Sequence, residues 1–295
     1  MQKKTAKDFD QELLYLFDEY VHGAIGRREF LDRAAKYAVG GMTATLLLDE
    51  LSPKFAEAQV VAKDDTRLKA EMIEYASPQG SGKTKGYLVR PLKAAGKLPG
   101  IVVLHENRGL NPHIEDITRR LALENYLAFA PDALAPLGGY PGGEDEARQL
   151  FQKLDPAKTR EDMIAAVSFL KTHPECTGKI GAVGFCWGGG IVNMLATRVP
   201  ELAAAVPFYG NSPPTDDVAR IKAPLLIHFA ENDPRINAGW PAYEAALKAA
   251  GIQYTMHMYP GTQHGFNNNT TPRYDEAAAK LAWQRTLEFF DRLLR

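Results

Sequence analysis

The chain has 295 residues, 45% of them hydrophobic and 24% charged, with a formal net charge of −1. This composition fits a soluble globular protein with one large α/β domain plus an additional segment. The near-zero charge gives neither nucleic acid nor an anionic membrane a reason to bind. No apolar run reaches the ~18 residues needed for stable membrane insertion, and the sequence shows no repeat, low-complexity tract or metal-ligand spacing.

Residues 1–60 differ from the rest. Phe9, Leu13, Leu14, Leu16, Phe17 and Tyr20 recur at helical spacing over 8–21, with acidic residues between them. Then follow the pair Arg27-Arg28, Phe30-Leu31, an uncharged run over 38–48, and Ala56-Glu57-Ala58 before Gln59. The order resembles a twin-arginine export signal with an A-x-A cleavage site, which implies a periplasmic or exported protein cut near Gln59. Against it stand a long acidic leader and Asp32 just after the motif. The other reading is a helical segment that stays on the protein and packs against it or a sister subunit, compatible with a cytoplasmic location and a homodimer.

The second domain is read as 61–295, and from residue 68 its pattern is regular. Two alternating strands over 69–75 and 85–90 flank a turn at 77–82. Strands are then predicted at 100–104, 127–130, 180–183, 203–208, 224–229 and 253–259. Helices are predicted at 114–123, 158–172, 191–197, 239–250 and 273–294. This alternation predicts an α/β fold with a mostly parallel central sheet and helices on both faces. Ligands of such sheets bind at the C-terminal strand ends. Cys176 and Cys186, the two cysteines, are read as lying before and after one strand, ~20–30 Å apart at ~3.3 Å per residue, too far for a disulfide.

The strand at 180–183 runs into Gly184-Phe185-Cys186-Trp187-Gly188-Gly189 and then a helix. This is the pattern of a nucleophile elbow, with cysteine in place of serine. So sharp a turn strains the nucleophile backbone and brings strand and helix nearly into contact, which demands glycine at 184 and 188. The helix N-terminus faces the sulfur and favours thiolate. A cysteine nucleophile needs a base and an orienting carboxylate. Asp233 follows a predicted strand and His264 precedes the last helix, giving the chain order nucleophile, acid, histidine. The loop after 100–104 carries Glu106, Asn107 and Arg108; backbone N–H groups of Asn107 and Trp187 are placed to form an oxyanion hole. Glu106 is placed to hydrogen-bond the thiol. His105, His228 and His257 lie in or beside strands and are read as structural.

Glu106-Asn-Arg-Gly, Gly184-Phe-Cys-Trp-Gly-Gly, Asn232-Asp233 and His264-Gly-Phe together resemble the dienelactone hydrolase (carboxymethylenebutenolidase) family, from about residue 68 to the C-terminus. The resemblance implies an α/β-hydrolase fold, a Cys186–His264–Asp233 triad, thiol gating by Glu106, and no cofactor or metal. It also implies arginines that hold a substrate carboxylate. The nearest candidates are Arg148 and Arg273, with Arg108, Tyr140 and Asn268 as further candidate substrate contacts; the family arginine shortly after the histidine is replaced here by Asn267-Asn268-Asn269. The expected partner is a small-molecule ester or lactone. A general carboxylesterase or thioesterase on the same residues, and a non-catalytic binding module, are the alternatives.

Overall fold

The protein is described from a computed structural model over residues 4–295. Leu68–Ser77 (β1) and Gly82–Pro91 (β2) form an antiparallel hairpin, and β2 pairs antiparallel with Leu127–Pro131 (β4). Leu98–Leu104 (β3), Cys176–Phe185 (β5), Ala204–Phe208 (β6), Leu225–Asn232 (β7) and Tyr254–Gln263 (β8) continue the sheet in parallel. The order is β1-β2-β4-β3-β5-β6-β7-β8, which places the elbow strand β5 centrally.

The inner strands read as apolar runs because both faces are covered. Val102 and Ala182 point to one layer, shared with Pro156–Thr172 (α7), Trp187–Arg198 (α8) and Trp240–Ala249 (α10). Ile101, Val103 and Val183 point to the other, shared with Pro112–Leu123 (α5) and Glu276–Leu294 (α11). Helix starts are fixed locally: Asn111 caps Ile114 N–H ahead of Pro112, and Asp275 caps Ala278 N–H. The body follows the predicted elements, with differences at Cys176, at residues 144–151 and at a short helix over residues 234–237. Cys176 begins β5 rather than preceding it, and both cysteines are free and buried. Glu144–Phe151 forms a helix (α6) that the apolar pattern did not mark, because Ala147 alone on it is buried.

The N-terminal segment folds as Gln11–Val21 (α1), Arg27–Ala34 (α2), Ala44–Leu51 (α3) and the short turn of helix Phe55–Ala58 (α4). Its apolar side chains bury one another: Leu13, Leu14, Leu16, Phe17 and Tyr20 meet Phe30, Ala34, Leu47, Leu48 and Leu51 in a separate small core. Toward the body the contacts are mainly polar. Lys54 N–H donates to Thr270 O, Val61 N–H to Asp116 Oδ1, Asn269 Nδ2 to Ala58 O, and Arg27 pairs with Asp145 at 2.8 Å. Arg28 is exposed, and Ala56-Glu57-Ala58 lies inside α4. Among the described residues no helix is long and apolar enough to cross a membrane.

Candidate active site

The turn from β5 to α8 passes through Cys186 at φ 57°, ψ −115°, in the left-handed half of backbone space that costs a β-carbon residue of order 1–3 kcal/mol. The expected crowding is present. A β-carbon at Gly184 would stand 2.2 Å from Gly188 O, and one at Gly188 would stand 2.3 Å from Leu104 O. The elbow therefore packs backbone on backbone, and Cys186 N–H is tied to Phe208 O at 3.0 Å. Trp187 is the first residue of α8, so its N–H has no acceptor within the helix. Its indole stacks on His105, which is fully buried and accepts from Ala133 N–H. His228 is likewise buried, bonded to Thr286 and Tyr259.

Asp233, at the end of β7, does two jobs with two oxygens. Oδ1 caps Ile236 N–H at the start of the short helix Pro234–Asn237 (α9), and Oδ2 accepts from His264 Nδ1 at 2.5 Å. His264 sits directly after β8 and is buried. Its Nε2 has no hydrogen-bond partner among the described residues. Burial works against a charged imidazole there, but Asp233, Asp18 and Cys186 together push its pKa up to about 10.

The sulfur of Cys186 is met by a residue that nothing in the local sequence marked. His22, at the C-terminal end of α1, places Nε2 3.2 Å from Sγ. Its Nδ1 lies 2.8 Å from Asp18 O and 3.2 Å from Asp18 Oδ1. The imidazoles of His22 and His264 meet edge to face at 4.8 Å. Burial opposes ionisation of Cys186, but His22 and His264 hold its thiol well below the ordinary range. The only sequence signal available was the i,i+4 spacing of Asp18 and His22 on an amphipathic helix.

Glu106 lines the same cavity as Cys186. Its carboxylate accepts from Asn268 Nδ2 at 2.9 Å, while the hydrogen bond at Sγ comes from His22. Burial, and then the sulfur nearby, raise the Glu106 pKa to about 7 despite Arg273 and His264. Of the candidate substrate contacts, Arg108, Arg148 and Arg273 face the N-terminal segment. Arg108 donates to Val21 O at 2.9 Å and lies 3.5 Å from Glu144, and Asn107 Nδ2 donates to the same Val21 carbonyl. Arg273 pairs with Asp18 at 3.3 Å, and Arg148 stacks on Tyr20. Tyr140 bonds Glu144. A cavity of about 390 Å³ lies over Cys186, walled by the body on one side and by Phe17, Tyr20, His22 and Leu48 on the other.

No metal-ligand spacing is visible along the chain, yet the fold brings three donor atoms, from His22, Cys186 and His264, within 4.8 Å of one another. Each imidazole carries a carboxylate on its other nitrogen, as zinc-ligating histidines do. An ion there would occupy the sulfur and both imidazoles at once.

A mostly parallel sheet, a strained elbow at the end of its central strand, and an acid and a histidine on later strand ends define an α/β-hydrolase. The dienelactone hydrolase family model matches residues 84–294, and the chain belongs to that family. It is a hydrolase acting on esters or lactones. A Salmonella typhi protein named "Putative carboxymethylenebutenolidase" is 34% identical over 228 residues, covering 72% of this chain and 84% of that protein. An Escherichia coli "Putative hydrolase fragment YghX" is 53% identical over 115 residues, 39% of this chain and 98% of that protein. The crystal structure of a dienelactone hydrolase from Klebsiella pneumoniae, itself titled putative, superposes with a TM-score of 0.66 at 31% identity, covering 76% of this chain and 99% of that one. A second family model, described as YqhI-like, matches residues 1–36.

Proposed function

We propose that the protein cleaves a carboxylic ester or lactone through a Cys186–His264–Asp233 triad and a thioester acyl-enzyme. The observation that carries this reading is the 2.5 Å contact of Asp233 with His264 Nδ1 on the strand-end rim that holds Cys186. The sulfur attacks the carbonyl carbon, and the oxyanion that forms is met by the N–H groups of Asn107 and Trp187, at roughly 3–4 kcal/mol per donor. Collapse breaks the C–O bond, and the leaving alkoxide takes a proton from imidazolium. Water then gives a proton to His264 and attacks the thioester, releasing acid and thiolate. A lactone keeps its alkoxide tethered, so re-closure competes with hydrolysis unless the leaving group is stabilised, as in an enol-lactone or activated ester.

The pairing of the arginines favours uncharged esters over substrates that carry a carboxylate. Arg108 is engaged by Val21 O and Glu144, and Arg273 by Asp18. An anionic substrate would have to break such a pair. A panel of neutral and anionic activated esters and enol-lactones tests this, with turnover of neutral esters expected to be the faster.

Cys186→Ala is the test of the nucleophile. Alanine fits the same turn, so the fold should survive while hydrolysis falls by at least about 10³-fold. Near-wild-type turnover in the purified variant would remove Cys186 from the mechanism. Cys186→Ser should keep at most traces, because the hydroxyl is far less acidic.

A further inference from the structure

Every other element of the rim belongs to the hydrolase body, but His22 comes from a segment with its own core. The contacts that bring it in are specific. The C-terminal end of α1 is received by Asn107 Nδ2 and Arg108 Nη2, both donating to Val21 O at 3.0 and 2.9 Å. Asp18, one turn earlier, is held by Arg273 and Arg235 at 3.3 Å each. Arg235 Nη2 also lies 3.1 Å from His22 Nε2; a guanidinium only donates, so that contact holds while Nε2 is bare and gives way when the imidazole takes the thiol proton. Two guanidiniums of the body thus fix the carboxylate that fixes the imidazole, and that imidazole ends 3.2 Å from the sulfur.

We propose that Asp18 and His22 form a second carboxylate–imidazole dyad of the active site, in which His22 is a catalytic residue that shares the thiol proton of Cys186. The proposal rests on Cys186 being the nucleophile. Its chemistry is a division of labour between two imidazoles. In the resting enzyme the proton has left sulfur for imidazole, giving a thiolate–imidazolium pair with His22. His264 Nε2, which has no hydrogen-bond partner among the described residues, then faces the leaving oxygen and the incoming water. During acylation His22 keeps the thiol proton, a sulfur lone pair forms the C–S bond, the C–O bond breaks, and the alkoxide takes its proton from the His264 imidazolium. During deacylation water delivers that proton back to imidazole, its oxygen bonds the carbonyl carbon, and the C–S pair returns to sulfur. Ester and water become acid and alcohol, and both dyads are restored.

Asp18, Arg235, Cys186 and His264 are the charged or titratable groups facing His22, with Arg273 acting through Asp18.

The test follows thiolate rather than turnover, so that it does not depend on the substrate. Full-length wild type, His22→Gln and Asp18→Asn are alkylated with iodoacetamide across pH 4–9, and modification of the Cys186 peptide is read by mass spectrometry. Wild type should react already in mildly acidic buffer. His22→Gln should move the inflection up by at least about one pH unit, roughly tenfold slower alkylation near pH 6, and Asp18→Asn should move it in the same direction. Free imidazole should restore part of the reactivity in His22→Gly. If the profiles of His22→Gln and Asp18→Asn both superpose on wild type, the second dyad is wrong. Should His22→Gln loosen the N-terminal helices, the near-isosteric Asp18→Asn and imidazole rescue of His22→Gly decide in its place. Activity in Cys186→Ala would instead sink the nucleophile, a result the alkylation profile cannot mimic.

Discussion

Arg273 Nη1 lies 3.3 Å from Asp18 Oδ1, and the same guanidinium stacks over the ring of Phe17 at 5.1 Å. Arg273 follows the candidate catalytic histidine by nine residues, where the sequence suggested a grip on substrate. Its partner is a carboxylate of the chain itself, 255 residues earlier. The pair joins the N-terminal helices to the rim, and several expected outcomes turn on that junction.

The elbow should tolerate no side chain at its glycines. A β-carbon at Gly188 meets Leu104 O at 2.3 Å and His105 O at 2.6 Å, both backbone atoms that cannot step aside. Gly188→Ala should therefore lose at least about 1–3 kcal/mol, read as a fall in the thermal midpoint, with β3 and α8 forced apart and hydrolysis lost alongside. An unchanged midpoint would mean that the two elements are farther apart than described.

Glu106 should make the protein less stable as pH rises through the weakly acidic range. Its carboxyl is held at about 7 in the fold, raised by burial and by Cys186, against ~4.3 in the unfolded chain. Between those values the unfolded chain has given up a proton that the fold retains, so stability falls with increasing pH and levels off above about 7. The loss is on the order of 3–4 kcal/mol. Glu106→Gln cannot ionise, so its midpoint should gain on wild type across pH 4.5–7 and hold that gain above. Parallel curves for the two proteins would contradict this.

Zinc should inhibit. The donor atoms of His22, Cys186 and His264 lie within 4.8 Å, a mixed sulfur and nitrogen set of the kind zinc takes. Micromolar zinc should stop turnover, and EDTA should restore it. Asp18→Asn removes the carboxylate behind one ligand, and should weaken inhibition roughly 10–100-fold.

The protein recovered from its own host should still carry residues 1–58. Processing near Gln59 would remove Asp18 and His22 from the site, leave Arg235 and Arg273 without Asp18, and leave Arg108 without Val21 O. Intact mass and N-terminal sequencing read this directly. A chain beginning near Gln59, active and with an unshifted alkylation profile at Cys186, would favour the export reading of Arg27-Arg28 and make the helices a signal. A double Arg27→Lys, Arg28→Lys variant should fold as wild type, because exposed pairs such as Arg27–Asp145 contribute about 0–1 kcal/mol.

What the chain determined on its own was everything that depends on neighbours in sequence or on the end of a strand. The elbow is a local steric problem whose solution, glycine on both sides of Cys186, is written within a few residues. Asp233 and His264 follow apolar strands, and parallel strands in one sheet deliver their C-terminal ends to one rim, so their meeting follows from the fold class. Tertiary structure decided the rest. His22 closes an amphipathic helix whose pattern reports only that Leu13, Leu14, Phe17 and Tyr20 are buried; the direction of its last turn is set by Val21 O meeting Asn107 and Arg108. Likewise Glu106 turned to Asn268, and Arg273 to Asp18, through contacts spanning 162 and 255 positions. Hydrogen bonds at such separations leave no periodicity, because neither partner constrains its own neighbours in the chain.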